Sequence, residues 1–444
     1  MKENQKMVLN VKEKPSTGKW FALSFQHVFA MFGATILVPM LTGLPISVAL
    51  FTSGVGTLIY ILCTRAKVPV YLGSSFAYIV VVGAVSGYTA TGTGHYATAL
   101  TGLLVVGLIY ALIATIIKFV GKSWLEKLLP PVVIGPMIAI IGLGLSSVAV
   151  SSSGLGGGTW QQIVTAAISL CIVIVVAIKG KGFIKIIPFL VGIVGGYIFA
   201  SIAGIVDFSG IVEVLKTPGA WIKIPEFMFL GFKEGSQNVL GTNITFYQIN
   251  FAAALTIAPL AFVTAAEHIG DHAVLSKIVG KEFLKDPGLD KTLLGDGLAT
   301  AFAALVGGPA NTTYGENTSV VGMTKVASVW VTGGAAVIAI ILSFFNIFTT
   351  LVASIPAPVM GGISIVLYGF IASNGIRVLS DAKVDMTSIR NLVVVSAMLV
   401  IGLGGSIISI GSFSIYGMSL AAVIGILLNL LLPKEKSAPL TENV

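Results

Sequence analysis

Four acidic residues could carry chemistry, because they fall within or at the edge of apolar runs: Glu267, Asp271, Asp296 and Glu316. A charge near the middle of a bilayer costs about 2.5–3.5 kcal/mol, so an acid kept there needs a specific role. No Lys or Arg lies at the depth of Glu267 or Glu316 to form a structural ion pair, and we expect both to be functional. Asp296, close to Lys291 and to a helix start, is expected to form a cap or a loop pair instead.

The composition predicts a membrane protein with many spans. Of 444 residues, 55% are hydrophobic and 10% are charged, whereas a soluble domain carries about 25% charged residues. We assign the net charge of +8 to cytoplasmic loops and not to nucleic-acid binding. Cys63 and Cys171 lie in apolar runs, which indicates neither a disulfide framework nor a zinc site. Without a nucleophile–base pair, a metal-spaced cluster or a phosphate loop, we expect a protein that is not an enzyme and binds no cofactor.

Fourteen apolar segments predict an all-α polytopic membrane protein. They lie at 19–43, 45–64, 68–87, 94–117, 128–149, 160–178, 183–205, 247–268, 292–308, 311–326, 327–350, 356–376, 388–405 and 413–433. Lys and Arg cluster in alternate connections, as the positive-inside rule requires. Residues 1–18 and 434–444 are therefore predicted to be cytoplasmic tails, and residues 206–246 an extracellular loop.

Weak internal matches divide the chain into two inverted repeats of seven segments each, residues 19–205 and 247–433. His27 in segment one matches His268 in segment eight at an offset of 241 residues, and later matches follow in the same order. An odd number of segments in each copy requires opposite orientations. Inverted repeats are typical of secondary transporters, whose substrate site lies where the repeats meet. We expect the two histidines to hold neighbouring helices together.

Segments three and ten each begin with a Pro and a polar run, at residues 69–76 and 309–315. We expect each run to be a short extended piece that leads into a half-helix. Ser74, Ser75 and residues 311–313 are types that often cap helix N-termini. Non-helical backbone at this depth must be buried in protein or line a cavity. The two pieces are therefore predicted to pair as a short antiparallel ribbon.

These predicted elements favour a small flat imide as the ligand. Carboxylates accept hydrogen bonds from N–H groups, and the backbone amides of Phe76 and Gly315 would donate to carbonyl oxygens. A simple anion would be repelled by the glutamates, and a sugar would need more amide and aromatic side chains. The ring of Phe76, with Tyr78 or Tyr314 nearby, is expected to cover the face of the ligand.

The run Tyr314-Gly315-Glu316-Asn317 resembles the signature of the nucleobase–ascorbate transporter family, as Gly73-Ser74-Ser75-Phe76 and Ala266-Glu267-His268 resemble other landmarks of that family. The likeness spans nearly the whole chain and implies fourteen segments in two inverted sevens, with dimers as the usual assembly. It also implies two moving parts. A core of segments one to four and eight to eleven covers about 19–120 and 247–350, and a gate of the remaining segments covers about 127–205 and 356–433.

The resemblance implies a substrate-binding set: the backbone at Phe76 and Gly315, the carboxylates of Glu267 and Glu316, and Tyr314 through water. We expect the coupled proton on a buried carboxylate among Glu267, Asp271 and Glu316, with Glu267 as the main site and Asp271 assisting. His27, His268, Ser75 and Asn317 are implied as supporting residues.

Two residues depart from the family pattern. Ser319 stands where the signature usually has Gly, and Asp271 stands where some uracil-transporting members have His. The proton relay near Glu267 is therefore expected to differ, with a second carboxylate sharing the proton.

Glu at position 316 favours the uracil branch of the family, because purine members tend to have Gln there. We expect a proton-coupled uracil importer that works by alternating access in a bacterial cytoplasmic membrane, in contact with lipid and forming a homodimer. A purine carrier for xanthine or urate and an anion carrier of the sulfate type are the alternatives.

Overall fold

The computed structural model describes residues 7–88 and 95–433. The predicted C-terminal tail, residues 434–444, and the first six residues of the predicted N-terminal tail lie outside the described residues. Within them the chain is mostly helical.

The helices of the first half are α1 (Thr17–Thr42), α2 (Ile46–Cys63), α3 (Ile79–Ser86), α4 (Ala97–Val120), α5 (Ser123–Leu128), α6 (Pro131–Gly144), α7 (Ser146–Ser152), α8 (Trp160–Lys179) and α9 (Pro188–Ile202). After α10 (Ser209–Lys216), those of the second half are α11 (Phe251–Ile257), α12 (Leu260–Val279), α13 (Leu289–Leu305), α14 (Gly315–Thr324), α15 (Val329–Phe344), α16 (Asn346–Ala353), α17 (Ala357–Asp381), α18 (Ile389–Leu403) and α19 (Gly417–Leu431). The strands are β1 (Leu72–Ser74), β2 (Met228–Leu230), β3 (Gly235–Val239), β4 (Thr242–Tyr247), β5 (Asn311–Thr313), β6 (Ile407–Ile410) and β7 (Phe413–Tyr416).

Six described helical stretches are long and apolar enough to cross a membrane, with α6 and α7 counted together as one, and the pair α11 and α12, bent by 41°, would make a seventh. Five shorter apolar helices are also present. Short helices are the expected result where a segment is interrupted by extended backbone or by proline. This set is consistent with the predicted fourteen segments.

Helix packing follows the same scheme in both halves of the chain. Helix α4 packs on α13, and their equivalents in the other half, α15 and α2, also pack on each other. In the same way α8 packs on α9, and their equivalents α18 and α19 pack on each other. Helices α6 and α17, which occupy equivalent places in the two predicted repeats, pack on each other. Each of these contacts has a counterpart when the two halves are exchanged, which is consistent with inverted repeats.

The segment between the halves is more structured than a loop. Besides α10, it contains a three-stranded sheet in the order β2-β4-β3, where β2 and β4 are parallel and β3 and β4 antiparallel. The Met228 N–H donates to the Val306 carbonyl (3.1 Å), so the sheet is attached to the end of α13. The sequence predicted only a connecting loop here.

The N-terminal strap, residues 8–13, packs against the protein although its sequence suggested a polar tail. Val11 is 2% exposed and belongs to a hydrophobic cluster with Val321 of α14 and Leu275 of α12. The strap runs along residues 325–329, joined by backbone hydrogen bonds from Val8 N–H to Lys325 O (2.8 Å), from Ala327 N–H to Leu9 O (2.9 Å) and from Val329 N–H to Val11 O (2.9 Å).

Candidate functional site

Strands β1 and β5 pair antiparallel, with Gly73 opposite Thr312. Ser75 N–H donates to the Ala310 carbonyl (2.9 Å), which extends the pairing beyond the strands. After β1 the chain makes a helical turn, Phe76–Tyr78, that continues into α3, and after β5 it enters α14. The predicted ribbon and the two half-helices are confirmed.

The prediction that these polar side chains cap the half-helices is wrong. The N-cap of α14 is Tyr314, in an extended conformation (φ −97°, ψ 118°), and no side chain caps this helix. Ser75 stands at the N-cap of the turn Phe76–Tyr78, but its hydroxyl makes no capping bond. The side chains of a strand project from its two faces and not along the chain toward the helix that follows. Asn311 Nδ2 accordingly donates to the carbonyls of Thr52 (3.3 Å) and Ala299 (3.2 Å) on neighbouring helices. Both half-helix starts are thus left without a side-chain cap.

A cavity of about 870 Å³ extends from the ribbon to exposed residues at one end of the bundle, among them Lys277 and Asp381. The predicted site residues that line it are Phe76, Glu267, Asp271, Tyr314, Gly315 and Glu316. The predicted supporting residues His27, His268, Ser75 and Asn317 are not among its lining residues and are buried behind it.

Besides Asp381 at the exposed end, three acids from two helices line this cavity: Glu267 and Asp271, one turn apart on α12, and Glu316 in the first turn of α14. Asp271 Oδ2 accepts a hydrogen bond from Thr313 Oγ1 (2.9 Å). Glu267 Oε2 is buried and has no hydrogen-bond partner among the described residues. No described Lys or Arg forms an ion pair with these acids. The group can accept N–H donors from a ligand and can hold a proton among its members.

Tyr314 braces the ribbon as well as lining the cavity. Its hydroxyl donates to the Ser74 carbonyl (3.0 Å) and accepts from Thr35 Oγ1 (3.2 Å) of α1. Its ring occupies the space where a Cβ on Gly73 would lie. Glycine at position 73 is therefore required by the close approach of this ring.

Phe76 is the aromatic ring that the first half contributes to the cavity. It packs edge-on against Tyr368 of α17, with ring centroids 5.9 Å apart. Tyr78, the other ring predicted near the ligand, is not part of the cavity lining, and its hydroxyl is hydrogen-bonded to Thr264 Oγ1 of α12 (2.9 Å).

Asn317 and His27 join α14 to α1 behind the cavity. The Asn317 side-chain amide donates to the His27 carbonyl (3.1 Å) and to His27 Nδ1 (3.0 Å). Both residues are 2% exposed. The bond fixes the first turn of α14, which carries Glu316.

Asp296 is not in a cap or a loop, contrary to the prediction. It lies within α13, where its Oδ2 is 3.0 Å from His268 Nδ1, and both side chains are fully buried. His272 Nδ1 donates to the His268 carbonyl (2.8 Å), and its other ring nitrogen is hydrogen-bonded to the Tyr60 hydroxyl. The one sequence signal was the pair of glycines flanking Asp296, since small residues favour close packing of helices.

Comparison with known proteins gives consistent results for the whole chain. A family model described as a permease family matches residues 18–411. The uracil permease of Bacillus subtilis (strain 168) is 45% identical over 441 residues, which cover 97% of each chain. The uracil permease of Escherichia coli (strain K12) is 38% identical over 430 residues, covering 95% of this chain and 93% of the relative.

Solved structures establish the fold. The inward-facing structure of the murine anion transporter Slc26a9 is similar with a TM-score of 0.66 at 10% identity, covering 95% of this chain and 69% of that one. The transmembrane domain of the cyanobacterial bicarbonate transporter BicA has a TM-score of 0.57 at 14% identity, covering 94% and 99%. The chain has a helical membrane-transporter fold and belongs to the nucleobase–ascorbate transporter family of permeases.

Proposed function

We propose that this protein imports uracil by proton symport and alternating access. The observation that carries the proposal is the grouping of Glu267, Asp271 and Glu316 around one cavity, next to two uncapped half-helix starts. The relatives named as uracil permeases support the choice of substrate. The protein would act as a transporter and not as an enzyme, with the proton as its coupling ion and no other cofactor.

Binding would use both edges of the base. Glu267 and Glu316 would accept hydrogen bonds from the ring N–H groups, while the backbone amides at Phe76 and Gly315 would donate to the ring carbonyls. The Phe76 ring would cover one face. A proton on Glu267, shared with Asp271, would reduce the cost of burying several carboxylates around a neutral ligand.

Transport would move a core against a gate, with fourteen segments arranged as two inverted sevens. Helices α1–α4 and α11–α15 would form the core, and α6–α9 and α17–α19 the gate, in keeping with how these helices pack. The positive-inside rule puts Lys185, Lys277 and Arg377 in the cytoplasm with both termini, so the cavity they line would be open inward. A homodimer surrounded by lipid would be the working form.

The test is uptake of labelled uracil into proteoliposomes with an imposed pH gradient. Uphill uptake driven by an inwardly directed proton gradient is expected, and Glu267→Gln is expected to abolish the coupling. Uphill uptake that persists with a protonophore, or in Glu267→Gln, would contradict proton symport.

Two other substrate classes are tested in the same vesicles. Unlabelled xanthine or urate would compete with labelled uracil if the site accepts purines. The fold likeness to anion transporters makes bicarbonate and sulfate relevant competitors. The basic residues that line the cavity lie toward its exposed end, and Glu267, Asp271 and Glu316 beside the ribbon oppose an anion. Competition by uracil alone is the expected result.

A further inference from the structure

Thr312 is a buried cavity residue whose hydroxyl makes no regular hydrogen bond within the described residues. It is 3% exposed and lines the cavity. Its neighbours on β5 do have partners: the Asn311 amide binds carbonyls of α2 and α13, and the Thr313 hydroxyl binds Asp271. A buried hydroxyl without a partner costs free energy, so a ligand is the natural partner to look for.

A neighbouring carboxylate strengthens this assignment. The Thr312 hydroxyl lies close enough to the Glu267 carboxylate to interact with it, and neither this hydroxyl nor Glu267 Oε2 makes a regular hydrogen bond within the described residues. A hydroxyl that can donate thus stands beside a carboxylate that can accept. This pair is complementary to a ring edge on which an N–H and a C=O are adjacent.

We propose that Thr312 is a specificity-determining residue, whose hydroxyl donates to a ring carbonyl oxygen next to the N–H that Glu267 accepts. The inference rests on the proposed function and assigns to this site a contact beyond the two glutamates and the two backbone amides. It explains why β5 carries a hydroxyl opposite Gly73, where the first half of the chain has no side chain.

The experiment replaces the hydroxyl and, separately, the oxygen that it contacts. Thr312→Val keeps the shape and removes the hydroxyl, Thr312→Ser keeps the hydroxyl, and Thr115→Val makes the same change on the exposed side of α4. Inhibition constants for uracil, 2-thiouracil and 4-thiouracil are measured against labelled uracil, because a thiocarbonyl sulfur is a weaker acceptor than oxygen.

Thr312→Val is expected to weaken the binding of uracil about 5- to 10-fold, as for the loss of one hydrogen bond. The same variant should weaken the binding of one thio analogue much less, namely the one with sulfur at the position that Thr312 contacts. Thr312→Ser should restore the native preference for uracil over that analogue. An equal loss for all three compounds would show that Thr312 only positions Glu267 and would overturn the proposal, as would no loss at all. If native protein and Thr115→Val both fail to take up uracil, the proposed function itself is wrong.

Discussion

The two halves of the chain contain the same backbone arrangement, a short strand followed by a half-helix, but carry different side chains on it. In the first half, β1 leads into α3, which contains no acid; in the second, β5 leads into α14, which carries Glu316 and Asn317. With an offset of 239 residues, the position equivalent to Glu316 is Ala77 (316 − 239 = 77). The repeat therefore provides the geometry, and one copy alone provides the charge.

The anchoring of the half-helices is more symmetric than their chemistry. Asn317 ties α14 to α1, in the other half, through His27. Its equivalent Tyr78 (317 − 239 = 78) ties the start of α3 to α12, again in the other half, through Thr264. Each half thus holds the half-helix of the other, and the ribbon is fixed from both sides.

The largest effect is expected for the charge that only one half carries. Glu316→Gln keeps the shape of the side chain and removes a charged acceptor, which should reduce uracil uptake about 10- to 150-fold, as for loss of a hydrogen bond to a charged group. Uptake at equal surface expression measures this, and Glu213→Gln in the segment between the halves is the control. Undiminished uptake would show that the asymmetry of charge is not functional.

The next comparison is between Gly73 in β1 and Gly315 at the start of α14. Gly73→Ala places a Cβ into the Tyr314 ring and should destabilise the protein by about 1–3 kcal/mol, since the core has no room to adjust. Gly315→Ala meets no atom within 4 Å and should leave the unfolding temperature unchanged, although it narrows the cavity. Thermal unfolding in detergent separates the two variants, and equal unfolding temperatures would contradict the role given to the Tyr314 ring.

Removing the cross-half anchors should have graded effects. Asn317→Ala loses two hydrogen bonds and leaves the buried His27 carbonyl with one partner fewer, at a cost of about 1–3 kcal/mol. Tyr78→Phe loses a single neutral bond and should cost about 1 kcal/mol. Denaturant or thermal unfolding measures both, with Thr115→Val as a lipid-side control. A larger loss of unfolding free energy for Tyr78→Phe than for Asn317→Ala would contradict this ranking of the two anchors.

The smallest effect is expected for an exposed link between the halves, the ion pair of Lys67 and Asp286. Lys67 holds the pKa of Asp286 below its usual range through a hydrogen bond. A lowered folded pKa means that the contribution is fully present above the unfolded pKa of about 3.9 and is lost as pH falls through the folded value. Asp286→Asn should therefore change stability little at pH 7 and not at all once the pH lies well below the folded pKa of Asp286. High salt should reduce the difference at pH 7.

The sequence was informative where local chemistry decides and uninformative where packing decides. The ribbon was predictable because a Pro and a polar run interrupt apolar segments in both halves. The capping residues were not, since alternation along β5 turned Asn311 toward α2 and α13. The environment of Asp296 depends on α12 lying beside α13. The flanking glycines indicate close helix packing, but they do not indicate which helix packs there or that His268 faces Asp296.

The N-terminal strap has a consequence for the order of assembly. Its residues are synthesised long before their partner, because the Val8 N–H donates to the carbonyl of Lys325, which follows 317 residues later (325 − 8 = 317). At about 5–20 residues per second, the partner is made roughly 15–60 s after the strap. The half-helix that carries Glu316 therefore receives its last support from a much earlier part of the nascent chain, after most of the segments have been inserted.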